Sequence, residues 1–154
     1  NCFFAENSSI IGDVIFGDNC SVWISSVIRG DVNKIRIGNN VNIQDGTVVH
    51  GTYQKSSTII GNNVSIGHNA IIHGCELKSN VLIGMGSIIM DDSIIKSNSI
   101  IAAGSVVIQK TITEENSIYA GIPAKKIKDI SEELITNEIE RIAKNYIKYS
   151  GWYK

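Results

Sequence analysis

The chain is poor in proline, histidine, cysteine and aromatic residues, and each scarcity excludes something. Three cysteines, an odd number without paired spacing, argue against a disulfide framework and suit a reducing cytosol. Cys20 and Cys75 fall at the corners of a repeat, where small buried thiols are expected. Fourteen basic against fifteen acidic residues leave a net charge of −1 and no basic surface for nucleic acid. The longest apolar runs are far too short to span a bilayer, and no signal-peptide pattern opens the chain. It starts at Asn1 rather than methionine, so a few native residues are expected before it. A cytoplasmic protein without nucleic-acid or membrane partners is the resulting expectation. What is there is 43% apolar residues in a chain of 154, which excludes disorder and suits one domain with a sizeable core.

Internal repetition dominates the first four-fifths of the sequence. Units such as Val41-Asn-Ile-Gln-Asp-Gly46, Val64-Ser-Ile-Gly-His-Asn69 and Ala70-Ile-Ile-His-Gly-Cys75 place an aliphatic residue before a small or polar one about every six residues. The series runs Ile11, Phe16, Val22, Ile28, Ile37, Ile43, Val49, Ile60, Ile66, Ile72, Leu77, Ile83, Ile89, Ile95, Ile101, Val107, Ile112, Ile118. Two steps are longer, from Ile28 to Ile37 and from Val49 to Ile60. A six-residue period fits neither an amphipathic helix nor an alternating hairpin. It fits a coil in which each unit is a short β segment and a corner, and three units close one triangular turn. Glycine, asparagine, aspartate and serine at the corners agree, because they tolerate tight turns and positive φ. The predicted fold is all-β: a parallel β-helix of hexapeptide repeats, with coils about 4.8 Å apart and a C-terminal α-helix.

The pattern ends after Ile118. Tyr119–Ile127 reads as an exit loop in which Pro123 stops the ladder. Ser131 is a plausible N-cap, with Glu132 and Glu133 in the first turn and Ile135, Ile139, Ile142 and Tyr146 forming one apolar stripe. The organisation is thus a β-helix domain with its exit loop over 1–127 and a helix over 128–154, packing on its own prism or on a neighbour.

All three histidines, His50, His68 and His73, lie within this repeat. Val49, Ile60, Ile66 and Ile72 make three steps, one full turn, so His50 and His73 take the same slot in adjacent coils. Two imidazoles stacked about 4.8 Å apart can lean onto one ion at about 2.0–2.1 Å from each nitrogen. His68 lies on the preceding face and points elsewhere. One metal held by all three therefore requires a threefold assembly in which His68 of one subunit meets His50 and His73 of the next. The same register places Arg29 one turn before His50 and Asp45 one turn before His68, with Gln44 on the edge of Gly67. Asp45 is a candidate partner for Arg29 across that interface, and a guanidinium–carboxylate pair there would be structural. Arg29 and Asp31, two apart, read chiefly as site-ordering residues. Gln44 is either a turn residue or a contact to a bound water or ligand. Tyr146 is either core or site.

Val27-Ile-Arg-Gly-Asp31, Val41-Asn-Ile-Gln-Asp-Gly46, His50, Ile66-Gly-His68 and His73-Gly-Cys75 together resemble the γ-class carbonic anhydrase family. The likeness covers nearly the whole chain, including Ala-Gly-Ile-Pro-Ala-Lys and the final helix. It implies a left-handed β-helix, a homotrimer, and zinc (or ferrous iron or cobalt) held by His50, His68 and His73 from two subunits. It implies that Gln44 lies near the metal-bound water, that Arg29, Asp31 and Asp45 form the interface ionic network with Asn42 beside it, and that Tyr146 reaches the site. The implied reaction is hydration of carbon dioxide by a metal-bound hydroxide. The sequence departs from the best-known archaeal members in one respect. Neither Val32-Asn33-Lys34 nor the insertion 51–58 contains a carboxylate to carry the proton away. An acyltransferase using acetyl-CoA, which needs one histidine as base and no metal, is the alternative, together with a metal-dependent thioesterase on the same scaffold.

Overall fold

The computed structural model describes residues 1–153, and its strands wind into a β-helix with three faces. On the first face Phe3–Phe4, Ser21–Val22, Asn42–Ile43, Ser65–Ile66, Val81–Ile83, Ser99–Ile101 and Ser117–Gly121 stack in parallel, in that order. The second face stacks 9–12, 27–30, Val48–His50, Ile71–His73, Ile88–Ile89 and Val106–Val107. The third stacks 14–16, 35–37, Thr58–Ile60, Glu76–Leu77 and Ile94–Ile95. Ser9–Phe16 and Val27–Ile37 run unbroken through the corner between the second and third faces, which absorbs the extra residues between Ile28 and Ile37. At that corner Gly12 has φ +80°, and a Cβ on it would lie 2.4 Å from the Gly30 carbonyl oxygen, so only glycine fits.

The inward residues are those the repeat predicts over the middle of the prism. Val22, Ile28, Ile43, Val49, Ile66, Ile72, Leu77, Ile83, Ile89, Ile95, Ile101 and Val107 are all essentially inaccessible. At the ends the register differs by one. Ile10, not Ile11, pairs with Ile28, although in this terminal coil both isoleucines are exposed. Ile112 pairs with the outward Ile94, leaving Thr113 to point inward, and Tyr119 rather than Ile118 pairs with Ile101. A fixed six-residue count cannot see a corner that is one residue longer or shorter. Ile35, absent from the series because it sits inside the longer step, is fully buried as well. The three cysteines are free, and burial pushes the Cys20 and Cys75 thiols up to about 11 and about 12.

One corner is held by an asparagine ladder. Asn19, Asn40, Asn63, Asn80, Asn98 and Asn116 all have φ between 53° and 58°. Each Nδ2 donates to the Oδ1 of the next, at 3.3, 2.9, 3.0, 3.0 and 3.0 Å. Asparagine serves both needs here, because it tolerates the left-handed region and carries a donor and an acceptor on one short side chain.

The segment expected to be a loop is a β-hairpin. Ser117–Gly121 pairs antiparallel with Ala124–Asp129, and Pro123 occupies the two-residue turn, where no ladder hydrogen bond is lost. Ser131 caps the helix as expected, accepting from the Leu134 N–H at 3.2 Å. The helix is not uniform, however. Ile135–Glu140 is π-helical between the α-helical Glu132–Leu134 and Arg141–Ser150. The wider turn moves the apolar stripe. Ile139 and Ala143 are buried, whereas Ile142 and Tyr146 are half-buried and line a groove beside the first face. No helix among the described residues is long and apolar enough to cross a membrane.

Replacing Asn80 tests the ladder. Asn80→Ala loses two hydrogen bonds and puts a Cβ at positive φ, and should cost about 2 kcal/mol in urea unfolding, with Asn80→Gly costing less. Equal losses would show that the backbone conformation contributes nothing.

Candidate metal centre

The second face brings the first two histidines together. Val48, Val49 and His50 pair with Ile71, Ile72 and His73, and the Gly74 N–H donates to the His50 carbonyl at 3.0 Å. Side chains in the same slot of adjacent parallel strands point the same way, so the rings meet, His50 Nδ1 lying 3.3 Å from His73 Nε2. Two nitrogens each bound at about 2.0–2.1 Å to one tetrahedral ion lie about 3.3–3.4 Å apart. The spacing fits two ligands of a single zinc-like ion.

Carboxylates hold the far nitrogens. Asp31 Oδ1 is 3.1 Å from His50 Nε2, and Asp91 Oδ1 is 2.5 Å from His73 Nδ1. A carboxylate accepts, so in the neutral tautomer that donates to it each ring carries its N–H on the far nitrogen and a lone pair on the near one. The two lone pairs then face each other, an arrangement that calls for a cation between them. Against the cost of partial desolvation, hydrogen bonds from His50 and Arg29 keep the Asp31 carboxyl below its ordinary value, and those from Thr52 and His73 do the same for Asp91. Arg29 Nη1 closes the Asp31 side at 2.8 Å. Thr52 donates to the second oxygen of Asp91. Gly74, at φ +56°, keeps this corner open, because a Cβ there would meet Asp91 Cγ at 3.0 Å and Ser56 Cβ at 2.8 Å.

His68 sits on a different face with a carboxylate of its own, Asp45 Oδ2 at 2.9 Å from Nδ1. Nε2 is left as its available donor atom, and the side chain is 40% exposed. Among the described residues no group of three or more histidine, cysteine, aspartate or glutamate side chains within one chain is placed to hold an ion. One chain thus offers two candidate ligands at one place and a third at another. Within it Arg29 pairs with Asp31 and Asp45 with His68.

The remaining predicted residues gather beside His68. Asn42 is buried, donates to Ser65 Oγ at 2.7 Å and accepts from Gln44 Nε2 at 3.0 Å, so it fixes the Gln44 amide. Gln44, His68 and Tyr146 line one cavity of about 380 Å³ between the first face and the helix. Tyr146 packs edge-on against Trp23 at 5.3 Å. Burial, with the Asp45 charge adding to it, pushes its hydroxyl up to about 12. Neutral at physiological pH even at its ordinary value, it is held still further from ionisation. Asp91 and Thr52 were missed by sequence reasoning. The signal was present, because Ile89 follows Ile72 by one turn and Asp91 thereby falls one place beyond the His73 slot in the next coil.

Known proteins resemble this chain along its whole length. Residues 74–109 match the family model for the bacterial transferase hexapeptide (six repeats). A carbonic anhydrase of Geobacillus kaustophilus is 40% identical over 154 residues, covering 100% of this chain and 84% of that protein. The mitochondrial gamma carbonic anhydrase 2 of Arabidopsis thaliana is 41% identical over 150 residues, covering 94% of this chain and 54% of that protein. The solved structure of a hexapeptide transferase family protein from Anaplasma phagocytophilum superposes with a TM-score of 0.94 at 44% identity, over 99% of this chain and 89% of that one.

Asp91→Asn separates a ligand-orienting carboxylate from a merely structural one. It should weaken zinc binding about 10–100-fold in chelator competition, leaving the coil folded by circular dichroism. Unchanged affinity would remove Asp91 from the site.

Proposed function

The chain belongs to the γ-class carbonic anhydrase-like family of hexapeptide-repeat proteins, and from that premise we propose that it is a zinc-type metalloenzyme hydrating carbon dioxide reversibly to bicarbonate. Its sites lie at the interfaces of a homotrimer, each using His50 and His73 of one subunit and His68 of the next. The single observation that carries this reading is the pair of ring nitrogens 3.3 Å apart, each imidazole backed by its own aspartate. An ion held by His50, His73 and His68 would supply, from water at neutral pH, a nucleophile strong enough to attack carbon dioxide. Iron(II) or cobalt(II) suits the same nitrogen donors.

The chain's own residues do the rest. Asp31, Asp45 and Asp91 fix ring orientation and raise ligand basicity, as carboxylate partners of metal-bound histidines do. Arg29 orders Asp31. Asn42 engages the Gln44 N–H, so that the Gln44 carbonyl oxygen is left to orient a polar group in the cavity. Tyr146, neutral and half-buried, offers a hydroxyl on the opposite wall. An acyltransferase would need one histidine as a general base, and the paired, carboxylate-backed histidines have no use in that chemistry. The cavity favours a second reading on the same residues. About 380 Å³ exceeds what carbon dioxide needs and would admit the acyl part of a small thioester.

Metal-loaded protein should accelerate carbon dioxide hydration in stopped flow, and His73→Ala should abolish both the activity and about one equivalent of bound metal per chain. Mixing decides whether sites are shared. His50→Ala and His68→Ala proteins, each inactive, should regain part of the activity when refolded together, because some interfaces then carry three intact ligands. No recovery would place all ligands within one subunit. Hydrolysis of acetyl thioesters without carbon dioxide hydration would favour the second reading.

A further inference from the structure

Hydration releases one proton per turnover, and neither 32–34 nor 51–58 offers a carboxylate to receive it. The cavity containing Gln44, His68 and Tyr146 has one on its opposite wall. Glu138 lines it from the helix, and no other lining residue is an aspartate or glutamate. We propose that Glu138 accepts the proton released in the cavity and passes it to solvent, an inference that rests on the hydration reading above. Carbon dioxide and water give bicarbonate and one proton. The Glu138 carboxylate becomes a carboxylic acid by taking that proton and returns to carboxylate by giving it to a buffer base.

Three observations converge on this residue. Its side chain is 41% exposed while lining the cavity, so it faces both the site and bulk solvent. It lies in the π-helical turn Ile135–Glu140, a distortion that recurs at functional sites. That turn keeps Ile139 fully buried against the prism while Glu138 shares the groove side with Ile142 and Tyr146. Third, a cation is fixed beside it. Arg141 donates Nε to the Asn137 carbonyl at 2.6 Å and reaches Glu138 Oε2 with Nη2 at 3.3 Å. The charged and titratable groups around the cavity are then Arg141, Tyr146 and Tyr149 from the helix and His68 from the first face, with Asp45 close enough to Tyr146 to influence it.

Stopped-flow hydration by zinc-loaded wild type, Glu138→Gln and Glu138→Asp, each at low and high imidazole, tests the assignment. Glu138→Gln should lower kcat at least about tenfold at low buffer. It should leave kcat/KM and metal content within about twofold of wild type and recover kcat at high imidazole, and Glu138→Asp should retain part of the rate. A crystal structure of the wild-type trimer should show waters linking Glu138 to Gln44. An unchanged kcat at low buffer overturns the proposal, as do a parallel fall in kcat/KM that buffer does not rescue and a partner side chain plugging the groove. A wild type that hydrates no carbon dioxide overturns both the proposal and the reading beneath it.

Discussion

Everything in this molecule depends on backbone hydrogen bonds between consecutive coils. They fix each residue one strand spacing, about 4.8 Å, from its counterpart in the next turn. The same ladder that stacks the inward aliphatic positions into a dry column, Val49 on Ile72 on Ile89, stacks His50 on His73 one residue later. A pair of candidate ligands is therefore a by-product of register. It needs no dedicated loop, only two histidines in one column. The rigidity that makes the coil stable also holds the donor atoms at a separation an ion can bridge.

Register alone would leave imidazoles free to spin about χ2. The aspartates remove that freedom, and each comes from a different part of the coil: Asp31 from the long second-face strand, Asp45 from the coil before His68, and Asp91 from the coil after His73. The side chains behind them are themselves tied. Arg29 holds Asp31 and Thr52 holds Asp91, the latter from the insertion that interrupts the repeat after Val49. That insertion thus supports the site although it departs from the hexapeptide period. The two walls of the groove differ in kind. The first face presents Gln44 and His68 from a rigid ladder, while the helix presents Glu138 from the π-helical turn and Tyr146 from the α-helical stretch that follows it.

Much of this is legible in the sequence, because a six-residue period with a two-residue strand leaves little choice about which side chain points inward. The His50–His73 and Asp45–His68 columns follow from counting, and the Ser131 cap from residue type, a serine just before two glutamates. The failures share one cause. Counting assumes equal units, and at Ile11, Ile112 and Ile118 the corners differ by one residue, so the neighbouring residue points inward instead. The hairpin at Pro123 escapes the count because its strands pair antiparallel, outside the repeat. The π-helical turn has no marker in its sequence, since Ile135, Ile139 and Ile142 read equally well as a regular α-helical stripe. Asp91 is within reach of the count and is missed because it lies one place beyond the slot rather than in it.

The central claim is that one ion joins His50 and His73 of one chain to His68 of another. Anomalous diffraction at the zinc edge from crystals of the metal-loaded protein tests it directly. The account predicts one peak per chain on the interface, about 2.0–2.1 Å from one ring nitrogen of each of the three histidines. A peak on His50 and His73 completed by ligands of the same chain, or no peak at these residues, would contradict it.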